Sequence, residues 1–131
     1  MNDQQLATVR EAFEALVAGM SSGDAGVFRR APWSPDVEYA EDESWPGASE
    51  FKGADSVAAR FTEYGEIIGD VEAHLEDVRD AGDRAQVTMR FSGRAGASGL
   101  PMDHTWTYLV SERDGMVVRF EAYLDPPATR P

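Results

Sequence analysis

The stretch His104-Thr105-Trp106-Thr107-Tyr108-Leu109-Val110, followed after Ser111-Glu112-Arg113-Asp114-Gly115 by Met116-Val117-Val118-Arg119-Phe120-Glu121-Ala122-Tyr123, decides the fold. Bulky apolar residues alternate with polar ones on both sides of a charged turn that ends in glycine. That is the pattern of an antiparallel hairpin with one dry face and one wet face. Pairing Val110 with Met116, Tyr108 with Val118, Trp106 with Phe120 and His104 with Ala122 collects the apolar residues, together with His104, on one side. Thr107, Thr105 and Asp103 then oppose Arg119, Glu121 and Tyr123 on the other, and a one-residue slip would bury charge.

Upstream, the period of two extends back to Asp70. Val71, Ala73 and Leu75 are expected opposite Phe91, Met89 and Val87 across a turn at Asp80-Ala81-Gly82-Asp83, with one bulge near the turn. Glu72, His74 and Glu76 fall opposite Arg90, Thr88 and Gln86 on the polar side. The Gly-, Ala- and Ser-rich segment from Arg94 to Pro101 joins the two hairpins.

Before Asp70 the period is 3.6. Leu6, Val9, Phe13, Leu16, Val17 and Met20 predict an opening helix capped by Asp3 and ended by Ser21-Ser22-Gly23. Val57, Phe61, Tyr64 and Ile68 predict a second long helix stopping near Gly69. Between them, Asp24 caps a short helix carrying Val27 and Phe28, Pro32 and Pro35 interrupt regular structure, and Val37, Tyr39 and Glu41 alternate with Glu38 and Ala40 as a short strand. Asp42 to Gly53 reads as a loop or small hairpin with Trp45 and Phe51, and Pro126, Pro127 and Pro131 close the chain without structure. The expected architecture is α+β: a curved antiparallel or mixed sheet wrapped around N-terminal helices as a cone-shaped barrel, in a single domain over residues 1–131.

Composition narrows the partners. Twenty-four acidic against 12 basic residues give a formal charge of −12, which repels phosphate backbones and anionic lipid surfaces, so neither nucleic acid nor membrane is an expected partner. There is no cysteine, hence no disulfide, thiolate nucleophile or cysteine-ligated metal. No metal site is expected either, because His74 and His104 fall on opposite sheet faces. With no secretory pattern at Asn2-Asp3-Gln4-Gln5, the expected location is the cytoplasm.

Several segments together resemble the nuclear transport factor 2-like superfamily, in its SnoaL-like branch with the polyketide cyclases and ketosteroid isomerases. They are Pro35-Asp36-Val37-Glu38-Tyr39, Trp45-Pro46-Gly47, Phe51-Lys52-Gly53, Asp80-Ala81-Gly82-Asp83, and the closing hairpin with Tyr123-Leu124-Asp125. The resemblance implies a cone with a deep pocket at its open end, a small apolar organic ligand, no cofactor, and a homodimer. By position, Glu41 resembles the general-base aspartate of the isomerase branch. The tyrosine and protonated aspartate of that branch are replaced here by Phe13 or Leu16 and by Trp106. The Asp-Arg-Asp set of the epoxide hydrolases is not matched, since Arg90 and Arg119 fall on the outer face.

Glu41 and His104 are the candidate catalytic residues. Desolvation at an apolar pocket mouth favours a neutral carboxyl group, suited to moving a proton, and apolar neighbours favour a neutral imidazole able to meet a carbonyl. Tyr39, Trp45, Phe61, Tyr64, Met89, Phe91, Trp106 and Phe120 are the candidate ligand-binding wall. The corresponding function is a cofactor-independent acid–base enzyme of isomerase, cyclase or lyase type acting on an apolar cyclic metabolite. The alternative is a binding protein using the same pocket without turnover. A dimerisation module whose outer face carries Thr107, Leu109 and Tyr123 is a third reading.

Overall fold

The computed structural model describes residues 1–22, 26, 31–45, 47–68, 71–94 and 99–124, with the side chains of 21, 22, 64–68, 71 and 102 set aside. Helix α1 (Asp3–Ser22) is followed by β1 (Trp33–Ala40), β2 (Glu50–Lys52), helix α2 (Ala54–Ile68), and strands β3 (Val71–Asp80), β4 (Ala85–Arg94), β5 (Pro101–Arg113) and β6 (Met116–Tyr123). The expected short helix around Val27 and Phe28 lies outside the described residues, as does the chain end from Asp125. No helix among the described residues is long and apolar enough to cross a membrane.

Helix α1 starts one residue earlier than the Asp3 cap predicts. Asn2 Oδ1 accepts from the Gln5 N–H (2.8 Å) and Gln5 Oε1 accepts from the Asn2 N–H (2.9 Å), a reciprocal capping box that leaves Asp3 in the first turn. The stripe Val9, Ala12, Phe13 and Leu16 is fully buried, and α2 buries Val57, Ala58 and Phe61. Helix α1 lies chiefly on β3 and α2 chiefly on β1.

The strands form one six-stranded sheet in the order β2-β1-β6-β5-β4-β3. Its β1–β6 pair is parallel and the other pairs are antiparallel. The sheet is therefore mixed and open, with β2 and β3 as its edges, rather than a closed barrel. Pro35 lies within β1, in the stretch between Trp33 and Glu38 where the register against β6 shifts, so it sits in the strand without interrupting it.

Neither hairpin keeps the predicted pairs; the β3–β4 hairpin and β5 keep the predicted faces, and β6 exchanges them near its start. In the β3–β4 hairpin Ala73 faces Phe91 and Leu75 faces Met89, two residues from the expected register, and the bulge falls between Leu75 and Asp77. The β5–β6 hairpin is shifted by four. Val110 faces Phe120 and Tyr108 faces Ala122, and three of those four positions come from the turn, which is only Asp114-Gly115, both at positive φ (54° and 81°), a two-residue loop that keeps the strands paired to Arg113 and Met116. A second irregularity between Ser111 and Glu112 exchanges faces near this turn. Val117 is fully buried there, whereas the expected inward residues Met116 and Val118 are exposed and half-buried. Bulges of this kind bend strands and increase twist, giving the sheet its cone-like curl around the helices.

Candidate functional site

The inner face of β5 is graded from sealed to open. Its successive inward residues are Val110 at 0% exposure, Tyr108 at 2%, Trp106 at 9%, and half-buried His104. Strand β4 repeats the trend beside it, since Val87, Met89 and Phe91 pair with Tyr108, Trp106 and His104 and have exposures of 0%, 0% and 9%.

At the sealed end, Phe120 is the hub of an aromatic cluster, with centroid distances of 4.5 Å to Tyr39, 5.2 Å to Trp33, 5.7 Å to Phe13, 5.9 Å to Tyr108 and 6.3 Å to Phe61. Trp33 places its indole N–H on the Ala12 carbonyl (3.2 Å), so its one polar atom is satisfied within the core. Tyr39, Phe61, Met89 and Phe120, expected in the ligand-binding wall, are at most 2% exposed. They have no surface left to offer and serve as core. Tyr64 lies on α2 with its side chain outside the described residues.

At the other end, Phe91 and Trp106 keep a small exposed edge of 9% each beside half-buried His104 and Trp45. Strand β6 stops short here. Its pairing with β5 reaches Thr107↔Tyr123, so the beginning of β5 is paired only with β4 among the described residues. The loop after β1 comes into that space and sets Trp45 edge-on to Trp106 (5.2 Å, 75°) and to His104 (6.0 Å, 79°). The loop is well tied. Asp42 accepts from the Ser44 N–H and hydroxyl, both at 3.0 Å, and from the Leu124 N–H at 3.3 Å, so it links the loop to the end of β6.

Glu41 follows β1 and continues its buried phase, Val37, Tyr39, Glu41, as the alternation predicts. Its surroundings differ from the expected solitary carboxyl group in an apolar mouth. The Glu41 side chain is 0% exposed and forms a forked ion pair with Arg60 of α2, Nη2 to Oε1 at 2.8 Å and Nε to Oε2 at 3.0 Å. It also accepts from the Tyr39 hydroxyl (3.1 Å) and the Ser49 N–H (3.2 Å). A carboxylate held by a forked ion pair and several donors is fixed in place, with both oxygens already engaged. His104 makes a ring contact with Trp45, while Glu41 bonds to Tyr39, Ser49 and Arg60, and no hydrogen bond joins Glu41 to His104 among the described residues.

Arg60 is the residue that the sequence reading missed. It lies three residues after Val57 and one before Phe61, at the border of the buried stripe of α2, where an arginine normally reads as solvated flank. The available signal was Glu41, just after β1 and in phase with Val37 and Tyr39, which needs a cation if it is buried. Arg90 and Arg119 do lie outside, paired with Asp103 and with Glu38 and Glu121. No group of three or more potential metal-ligating side chains occurs among the described residues.

The SnoaL-like domain family matches residues 9–120, from α1 into β6. The chain belongs to that family. Solved structures agree with this SnoaL-like fold. An NTF2-like protein from Burkholderia thailandensis E264 superposes with a TM-score of 0.76 at 22% identity, covering 95% of this chain and 92% of that one. A protein described as a SnoaL-like polyketide cyclase from Jannaschia sp. CCS1 gives 0.75 at 22% identity, covering 93% and 85%. TerC, co-crystallised with polyporic acid, gives 0.74 at 21% identity, covering 90% and 92%. No curated protein matches the sequence.

Proposed function

We propose that this SnoaL-like domain binds a small, apolar, ring-bearing organic molecule at the open end of its inner face, between Phe91, His104, Trp106 and Trp45. The observation that carries the reading is the gradient along β5, which ends in a half-buried imidazole framed by aromatic rings. Apolar walls with a single polar group are the usual make-up of sites for organic ligands. His104 supplies a hydrogen bond to a ligand carbonyl or hydroxyl, while the rings supply area. The complex of TerC with polyporic acid supports the ring-bearing character of the ligand, at the level of the shared fold.

The enzymatic form of this reading is acid–base chemistry without a cofactor. Here His104 is the group placed to exchange a proton, and Glu41 is committed to Arg60. A matched pair of ligands tests both forms. 1-Tetralone and naphthalene share a bicycle, but only the first carries an acceptor. His104→Ala should weaken 1-tetralone roughly tenfold, as loss of a hydrogen bond of about 1.4 kcal/mol requires, and leave naphthalene nearly unchanged. Equal affinities in both proteins would rule out His104 as the polar contact. Deuterium exchange at the α-carbon of 1-tetralone, followed by NMR, then separates enzyme from binder. Exchange by the wild type that His104→Ala abolishes supports acid–base catalysis, and binding without exchange supports the non-catalytic form.

A further inference from the structure

We infer that Arg60 is a positioning residue for the site, acting as a latch that holds the 41–49 loop so that Trp45 forms one wall of the mouth. The inference rests on the reading above that the mouth is the binding surface. The geometry is specific to a guanidinium. Arg60 spans both carboxylate oxygens of Glu41, and Nη2 donates in addition to the Gly47 carbonyl at 3.2 Å. Glu41 in turn receives the Ser49 N–H (3.2 Å), while its own N–H donates to the Ser49 carbonyl (3.1 Å). Arg60 and Glu41 therefore grip the loop at Gly47 and at Ser49, just after Trp45. The guanidinium carbon also lies 5.2 Å from the centre of the Phe51 ring, which ties β2 to the same point.

One charged fork thus joins α2, the end of β1, β2 and the loop. Lysine could match the charge but not the fork, since an ammonium is a point donor on a flexible stem. The Arg60 side chain is 13% exposed and that of Glu41 0%, so the pair is shielded from the screening that weakens surface ion pairs. A loop tip held this way presents Trp45 as a fixed edge against Trp106 and His104, and ligand access between these rings is set by a residue that does not itself reach the mouth.

The test follows Trp45 and ligand separately, in the full chain. In Arg60→Met the ring-current shift that Trp45 imposes on the His104 imidazole protons should collapse to the value of Trp45→Ala, with far-UV circular dichroism unchanged. Arg60→Lys should recover part of the shift. The neutral fluorophore N-phenyl-1-naphthylamine should bind Arg60→Met at least about tenfold more weakly than wild type. A wild-type ring-current shift in Arg60→Met would overturn the latch. A collapsed shift with unchanged fluorophore affinity would leave the latch standing and refute the mouth as the binding surface. If Arg60→Met does not fold, the double variant Glu41→Gln/Arg60→Gln, which leaves no lone buried charge, is read in the same way.

Discussion

Truncating Phe120 to alanine separates core from binding wall. Phe120 is 0% exposed and stands within 4.5–6.3 Å, centroid to centroid, of Tyr39, Trp33, Phe13, Tyr108 and Phe61. Removing a buried phenyl ring costs about 3–5 kcal/mol, and aromatic pairs contribute about 0.5–1.5 kcal/mol each beyond burial, without simple additivity. With five such neighbours the cost belongs at the upper end, about 4–5 kcal/mol. Against a total stability of roughly 5–15 kcal/mol, that lowers the thermal midpoint by about 15 °C. Urea unfolding at constant m measures it directly. Trp45→Ala, removing a half-buried ring at the rim, should cost only about 1–2 kcal/mol. A loss below about 2 kcal/mol for Phe120→Ala would mean that its ring faces a void, and Phe120 would return to the ligand-binding wall.

Three further outcomes are expected. Gly115→Ala should destabilise by about 1–2 kcal/mol through backbone strain alone, because Gly115 has φ 81° and a Cβ there would meet nothing within 4 Å; urea unfolding reads the loss. Asn2→Ala, which removes one half of the α1 capping box, should cost about 1 kcal/mol by the same measurement. The hydrogen bond that Tyr123 donates to Glu121 holds its phenol above the ordinary 10.0, so its stabilising effect is complete below pH about 10 and fades as pH rises through the elevated value. Phenolate absorbance of wild type minus Tyr123→Phe should therefore develop late, and Glu121→Gln should bring it earlier.

What the sequence left open follows from the arithmetic of strands. Side chains repeat every two residues, so sliding a strand by two or four leaves every residue on its own face. Alternation therefore identified the inner and outer faces of β3, β4 and β5. It had no power to distinguish Trp106↔Phe120 from Val110↔Phe120. The turn makes that choice, and positive φ at Asp114 as well as Gly115 selects a two-residue loop over a five-residue one. Bulges shift the pattern by one and do exchange faces, which is why Val117 went inside against expectation. The Glu41–Arg60 pair illustrates the other limit. Each residue looks unremarkable in its own segment, and only tertiary packing brings together charges 19 positions apart.

The place of the site has a cause in the unequal reach of two strands. Pairing of β5 with β4 extends down to Arg94↔Pro101, whereas pairing of β5 with β6 ends at Thr107↔Tyr123. His104 and Trp106 lie in the segment that β4 supports and β6 does not reach. A sixth strand continued along that segment would have covered them from the side, as it covers Val110. Instead Asp42 receives the Leu124 N–H just past the end of β6, and the loop beginning at Glu41 sets one indole ring beside that segment. A strand is held by a ladder of backbone hydrogen bonds, but this loop has only short-range backbone bonds of its own, such as Glu41 N–H to the Ser49 carbonyl and Trp45 N–H to the Asp42 carbonyl, and is tied to α2 by the three hydrogen bonds that Arg60 donates to Glu41 and Gly47. The wall beside His104 thus depends on loop contacts rather than on sheet pairing, so Trp45→Ala should change ligand affinity at a stability cost of only about 1–2 kcal/mol, whereas Arg60, partner of the buried Glu41 carboxylate, supports both the loop and the fold.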